Sequence, residues 1–184
     1  MQRSKLFDWD ELNLIRSEAI RLWTAKKPDR KERERFCDWL EFVLCYIYAY
    51  GWHDAEEVVG KVNVELNGDT ETVNQEIAGK TFRDRVYEDI QTVDEILRLI
   101  DTEAHRDYNT GVYNAAKVSG RPVQKQWLTM MDDRVRDSHQ FLEGVTVGID
   151  DLFYTDDGDS ALFPGGFALP ENNINCRCGI ALIG

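Results

Sequence analysis

The sequence predicts an α+β protein whose N-terminal two-thirds are mostly helical. A small C-terminal α+β unit of short strands and one short helix follows. Two observations favour this fold class. Apolar residues recur at helical spacing in the long stretches before Gly120, whereas apolar and polar residues alternate after Pro122. The intervening Ser119-Gly120-Arg121-Pro122 contains the residues that end helices. A hydrophobic fraction of 42% in 184 residues is enough for a buried core.

The first two helices are predicted from their caps and their apolar faces. Asp8 or Asp10 can cap the first helix. Asp29 and Glu32 form a capping box for the second helix, which we expect to end at Gly51. The residues that these helices bury are Leu12, Ile15, Ala19, Leu22 and Trp23 in the first, and Phe36, Trp39, Leu40, Val43, Leu44 and Ile47 in the second.

The middle of the chain is predicted to be helical as well. A short helix is expected from Asp54 to Leu66, and further helical sequence follows with Gly79 as a break. Thr92 and Glu95 form another capping box, which begins a helix that reaches about Val118. Carboxylates lie among the apolar residues of this long helix, so that one of its faces is mixed in character.

The C-terminal unit is predicted to contain strands around one helix. Alternation over 123–128 indicates a half-buried strand, and 145–149 and 180–183 have strand-like composition. The segment from Asp132 to Leu142 is predicted to be a short helix. The chain is thus divided into a helical arm (1–68), long helices (69–120) and a small α+β unit (121–184).

Charge and composition exclude several function classes. The net charge of −12 opposes non-specific nucleic-acid binding, which needs cations to neutralise phosphates. The longest apolar run, from Phe42 to Tyr50, is too short to cross a membrane, and the N-terminus shows no secretory leader. We therefore expect the four cysteines to be thiols or metal ligands rather than disulfides.

Three metal-ligating residue types stand out in the C-terminal unit: His139, Cys176 and Cys178. Zinc prefers four thiolate or imidazole ligands, so this set would need one more donor. The candidates for that fourth ligand are Asp132, Asp133 and Asp137. Two alternatives stay open: a structural junction with a hydrogen-bonded histidine, or a cysteine nucleophile with His139 as its base.

Arginines and carboxylates near the same segment suggest a structural clasp. In a helix, Asp132 and Arg136 would lie four residues apart and could pair, with Arg134 on another side. Glu103 on the long helix would need a partner if buried, and Arg134 or Arg136 would serve. Anion binding by the arginines, and a solvent-facing Glu103, are the alternatives.

Several short motifs follow one another in a recognisable order. They are Thr102-Glu103, Asn109–Gly111, Lys125–Trp127, D-x-R-V-R-x-x-H ending at His139, Leu142–Gly144, Phe153, Pro164-Gly165 and Asn175–Cys178. This order resembles the phage head morphogenesis family, the Mu F-like minor head proteins. The resemblance covers about Ile96 to Ile183.

The resemblance implies a minor structural component of a tailed-phage head rather than an enzyme. Such a protein acts in head morphogenesis at or near the portal, and in DNA packaging or ejection. Its implied partners are the portal protein, the major capsid protein or both. The absence of a membrane partner and of direct nucleic-acid binding is expected from the short apolar runs and the net charge of −12, not from the resemblance. Its implied location is inside the virion head, and the host cytoplasm during assembly.

The resemblance also implies roles for individual residues. His139, Cys176 and Cys178 match the family's marked positions, which makes zinc the candidate cofactor. The structural clasp is a prediction from the residues and not from the resemblance. Its residues are Glu103, Trp127, Asp132, Arg134, Arg136 and Asn175.

Two functional hypotheses follow from different classes. In the first, residues 1–68 are an arm that docks on the portal or capsid through a tryptophan series: Trp9, Trp23, Trp39 and Trp52. In the second, the chain is a small injected effector enzyme, a nuclease or an ADP-ribosyltransferase-like protein. That enzyme would use Glu103, Arg134 and His139.

Overall fold

The computed structural model describes residues 9–62, 69–77 and 79–184, and it has the α+β architecture that the sequence predicts. The helices are α1 (Asp10–Ala25), α2 (Arg30–Val59), α3 (Asp69–Val73), α4 (Phe82–Glu88), α5 (Val93–Ser119), α6 (Asp137–Gln140) and α7 (Pro170–Asn173). The strands are β1 (Gln124–Leu128), β2 (Thr146–Gly148), β3 (Phe153–Tyr154), β4 (Ser160–Ala161) and β5 (Gly179–Ile183).

Helix α2 is the longest element, and it is longer than the sequence predicts. Its capping box of Asp29 and Glu32 is confirmed, but it continues through Gly51 to Val59. The predicted end at Gly51 is wrong because this glycine permits close packing instead. A Cβ atom at Gly51 would lie 2.1 Å from the carbonyl oxygen of Tyr108 on α5. Asp10 is the first residue of α1 and not its cap, since the N-cap position is Trp9, which makes no side-chain cap hydrogen bond. Asp8, the other predicted cap, lies outside the described residues.

Helix α5 forms the central support of the molecule. The capping box of Thr92 and Glu95 begins it, and Gly120 in the left-handed conformation ends it, both as predicted. The helix predicted from Asp54 to Leu66 is, over its first part, the end of α2, and 63–68 lie outside the described residues. Helix α4 has a further capping box, made by Thr81 and Asp84, that the sequence analysis did not identify.

The C-terminal unit contains a three-stranded antiparallel sheet with the order β2-β1-β5. The three strands predicted from the sequence are confirmed, with β1 at the centre. The predicted helix from Asp132 to Leu142 is too long, since only α6 is helical. The Asp132 carboxylate accepts the backbone N–H of Arg134, at 3.2 Å, and Arg136 has extended backbone, so helical geometry starts only at Asp137.

One continuous core runs from α1 to β5, and Trp127 is fully buried within it. Trp23 and Trp52 also belong to this core, so they do not form an exposed series with Trp39, which is 39% exposed. None of the helices in the described ranges is long and apolar enough to cross a membrane. The domain limits at 68 and 120 stay a prediction.

Candidate metal centre

Two thiols and one imidazole meet between α6 and the segment that leads into β5. The Sγ atoms of Cys176 and Cys178 each lie 3.6 Å from Nδ1 of His139. All three side chains are buried, and their possible ligand atoms lie within 4.8 Å of one another. The fold therefore brings together the three residues that the sequence singled out.

The distances fit a tetrahedral zinc ion. With zinc–sulfur bonds of about 2.3 Å and zinc–nitrogen bonds of about 2.0–2.1 Å, tetrahedral angles place sulfur and nitrogen about 3.6 Å apart. The two observed separations between Sγ and Nδ1 have this value. His139, Cys176 and Cys178 could therefore supply three of the four zinc ligands.

The two thiols are electrostatically unequal. A hydrogen bond from Cys178 lowers the pKa of the Cys176 thiol against the effect of burial. That same interaction, together with burial, raises the pKa of Cys178. Without a bound cation, the state in which only one of the two cysteines is a thiolate is thus favoured over the state in which both are. A divalent cation would remove this asymmetry, because it stabilises both thiolates.

Aromatic rings hold the imidazole of His139 in place. Phe167 stacks on it with ring centroids 5.3 Å apart, and Trp127 meets it edge-on at 5.6 Å. Its Nε2 atom is buried and has no hydrogen-bond partner among the described residues. Metal-ligating histidines usually donate this second N–H to an acceptor, so packing replaces that hydrogen bond here.

Helix α5 holds the cysteine segment through two side chains. Nε2 of His105 is hydrogen-bonded to the Cys178 carbonyl oxygen, and Nδ2 of Asn109 donates to the same oxygen at 3.3 Å. The Ile180 N–H donates to Asn109 Oδ1 at 3.2 Å. Burial lowers the pKa of His105 to about 4. The sequence analysis missed His105, although its spacing of four from Asn109 places both residues on one helical face.

Arg136 connects α6 to the chain around α7. Its guanidinium donates to the carbonyl oxygens of Asn172, at 3.2 Å, and Ile174, at 2.6 Å. Trp127 packs between Phe153 and Phe167, with ring centroids 5.0 Å and 5.7 Å away.

The other predicted clasp residues have different contacts from those expected. Asp132 pairs with Arg177, at 2.7 and 2.9 Å, and not with Arg136. Asp132 and Arg136 both precede α6, so they are not four residues apart on one helix as predicted. Arg134 is exposed, and its guanidinium has no partner within the described ranges. Asn175 has a φ of +58°, so the chain turns sharply just before Cys176.

The predicted fourth metal ligand is not in place. Asp132, Asp133 and Asp137 are all exposed, and none joins the buried donor cluster. A small gap of about 230 Å³ adjoins the trio and is lined by Met130, Arg134 and other residues of the same segments.

One protein-family model matches the part of the chain that contains this site. The model of the Phage Mu protein F like protein family matches residues 70–181, which is more than half of the chain. The chain belongs to this family. The matched part of the Mu F-like chain contains α5, the sheet and the cluster of His139, Cys176 and Cys178.

Two curated relatives match parts of this Mu F-like chain. One is NAD(+)--arginine ADP-ribosyltransferase EFV of Enterococcus faecalis, 37% identical over 87 residues, or 46% of this chain and 18% of that protein. The other is Minor head protein GP7 of Bacillus phage SPP1, 30% identical over 84 residues, or 45% of this chain and 27% of that protein. The alignments thus span less than a third of either relative. No solved structure matches the chain.

A second group of buried charges lies on α5 of the Mu F-like chain, away from the thiols. Glu103 is buried, but its ion-pair partner is Arg106 at 2.7 Å, and neither Arg134 nor Arg136 contacts it. The Arg106 guanidinium also donates to Asp107 Oδ1, at 2.9 and 3.0 Å. Two buried carboxylates therefore share one guanidinium.

This sharing makes Asp107 sensitive to pH. Burial raises the pKa of Asp107 to about 7, and Glu103 adds to the effect while Arg106 opposes it. Because the unfolded carboxyl ionises near its ordinary value of 3.8, this group destabilises the folded chain increasingly from about pH 4 to about pH 7.

We expect Asp107→Asn to remove that loss of stability. The asparagine keeps an oxygen for Arg106 but carries no charge. The variant should gain on the order of 2 kcal/mol over the wild type at pH 8 relative to their difference at pH 4. Urea unfolding across this pH range measures the effect, and parallel pH profiles for the two proteins would contradict it.

The catalytic set of the effector hypothesis is not assembled in one cavity. Glu103 lines a cleft with Arg106, whereas Arg134 and His139 line the gap beside the thiols. His139 is also 1% exposed under its aromatic neighbours. In the described ranges, the three residues therefore do not face a common substrate volume.

Proposed function

We propose that this chain is a minor protein of a tailed-phage head, which acts in head morphogenesis at or near the portal and in DNA packaging or ejection. The observation that carries this proposal is the family match over 70–181, supported by the alignment with a minor head protein of SPP1. The proposed partners are the portal protein and the major capsid protein. The proposed locations are the head interior and, during assembly, the host cytoplasm.

The helical arm before the matched region supplies the proposed docking surface. On α2, Phe42 is 60% exposed and Tyr46 is 45% exposed, and their ring centroids lie 5.3 Å apart. Trp39 adds a third exposed aromatic residue one turn before them. Aromatic side chains are typical of the residues that contribute most to protein interfaces. This surface replaces the tryptophan series that the sequence suggested, since Trp23 and Trp52 are core residues.

The test changes this surface without changing the core. Phe42→Asp combined with Tyr46→Asp should lower the number of copies incorporated per purified head at least about tenfold, since a central interface residue contributes about 2 kcal/mol or more. Quantitative mass spectrometry of heads from a complemented deletion phage measures this number. Tyr154→Asp is the matched control, because Tyr154 is 62% exposed but lies on β3. Normal incorporation of the double variant would contradict the proposed docking surface.

We also propose that His139, Cys176 and Cys178 hold one structural zinc ion. Their buried thiol and imidazole donors, at zinc-like separations, support this proposal. The ion would join α6 to the segment before β5, while His105 and Asn109 join that segment to α5. Zinc would thus complete the closure of the C-terminal unit onto the long helix.

The effector hypothesis has less support from the same observations. The alignment with the ADP-ribosyltransferase spans only 18% of that protein, so most of its length has no counterpart in the alignment. Glu103 is engaged with Arg106, and His139 faces the thiols. A structural role therefore accounts for these residues better than catalysis does.

A further inference from the structure

A cleft with a buried charged floor lies between α4, the first half of α5 and the chain around α7. It encloses about 860 Å³, part of which is open to solvent. Apolar walls come from three separate segments and include Ile90, Leu99 and Ile174. At its floor are Glu103 and Arg106, whose side chains are only 6% and 7% exposed. The cleft is distinct from the gap beside the thiols.

The floor has a shortage of hydrogen-bond donors. Glu103 Oε2 lies 2.7 Å from Nη1 of Arg106, but it has no hydrogen-bond partner among the described residues. Nε and Nη2 of Arg106 donate to Asp107 Oδ1, and Nη2 also donates to the Val73 carbonyl oxygen. Oδ2 of Asp107 is likewise buried without a donor within those ranges.

The floor also has more acidic than basic groups. Two carboxylates face one guanidinium, so the buried group carries a surplus negative charge when both are ionised. Other charged side chains also line the cleft. Arg85 donates to the Ile77 carbonyl oxygen, and Glu95 caps α5. Asp89 pairs with Lys80, and Arg98 lies on the cleft wall. A buried carboxylate that lacks a donor is costly, and an incoming cation would offset that cost.

We propose that this cleft binds an organic cation on a short apolar stem, an alkylguanidinium or alkylammonium group. The stem packs against Ile90, Leu99 and Ile174, and the cationic end donates to the Glu103 carboxylate. The same chemistry occurs in an arginine or lysine side chain of a partner protein and in a free aliphatic amine.

The test compares a cation with its neutral isostere. Butylguanidinium should bind at least about tenfold more tightly than butylurea, because charge-assisted hydrogen bonds are roughly twice as strong as neutral ones. Titration calorimetry gives the affinities, and methyl resonances of Ile90, Leu99 and Ile174 locate the ligand. Equal affinity for the two compounds, or shifts elsewhere in the protein, would overturn the proposal.

Two variants separate the charged floor from the apolar walls. Glu103→Gln should weaken butylguanidinium binding at least about tenfold, whereas Asp133→Asn, an exposed acid outside the cleft, should leave it unchanged. If Glu103→Gln fails to fold, Ala168→Trp provides the test, since Ala168 is an exposed wall residue and the larger side chain should block the cleft. Undiminished binding in whichever of the two variants folds would overturn the proposal.

A capped Leu-Arg-Leu peptide distinguishes the two sources of the cation. Tighter binding of this peptide than of butylguanidinium would support a partner side chain, and the reverse order would support a free amine. If neither compound binds, the cleft is not a cation site. This outcome is independent of the head-incorporation experiment, which concerns Phe42 and Tyr46 on α2.

Discussion

Replacing Gly111 with alanine is expected to destabilise the protein by on the order of 3 kcal/mol or more. A Cβ atom at this position would lie 2.1 Å from the Tyr48 carbonyl oxygen on α2. Since the clash is with backbone, it cannot be relieved by a side-chain rotation. Helices α2 and α5 would have to separate, and both contribute to the core that continues into the sheet.

The sign of this effect separates the packing argument from helix propensity. Without the close contact, a glycine-to-alanine change inside a helix raises stability by about 1 kcal/mol. Urea unfolding of Gly111→Ala therefore gives opposite results under the two explanations. Val118→Ala on the same helix is the control, because Val118 is 51% exposed and its truncation should change stability by less than about 0.5 kcal/mol. A stabilised Gly111→Ala variant would contradict the helix packing.

The same contact explains why the sequence predicted the wrong end for α2. Gly51 is an ordinary helix terminator by local criteria, and nothing nearby in the sequence opposes that interpretation. Its role becomes visible only when the Tyr108 carbonyl of α5 is placed 2.1 Å from the missing Cβ. Capping boxes, by contrast, are local, and those at Asp29 and Thr92 were predicted correctly.

The candidate metal centre shows a similar division between local and non-local information. His139, Cys176 and Cys178 were selected because their residue types are unusual in this segment, and the fold does bring them together. The predicted pairing of Asp132 with Arg136 depended on one continuous helix, which the turn at Asp132 prevents.

Glu103 and its partner show the opposite case, in which a local signal was available. Arg106 lies three residues after Glu103, a spacing that places the two side chains together on a helix. Arg134 and Arg136 were predicted instead, because Glu103 was expected to face the C-terminal unit that contains them. His105 was missed for a different reason: its partner is a main-chain oxygen of Cys178, which no side-chain pattern reveals.

Removal of the proposed zinc ion is expected to have the largest effect on the C-terminal unit. Structural zinc sites contribute about 10–16 kcal/mol of apparent binding free energy at neutral pH. Because part of this energy stabilises the fold, a chelator that removes the zinc destabilises the protein. We expect EDTA to lower the melting temperature by about 10–20 °C, corresponding to at least about 5 kcal/mol. Elemental analysis of the untreated protein should give about one zinc per chain.

Variants identify the residues responsible for that effect. His139→Ala and the double change of Cys176 and Cys178 to serine should each abolish zinc binding, because the trio supplies every buried donor of the cluster. Cys45→Ser is the matched control, since Cys45 is a half-buried cysteine on α2 that does not belong to the cluster. Zinc-free protein that melts at the same temperature with and without EDTA would contradict the metal proposal. In that case the separations of 3.6 Å between the sulfur atoms and Nδ1 would describe a hydrogen-bonded junction of thiols and imidazole.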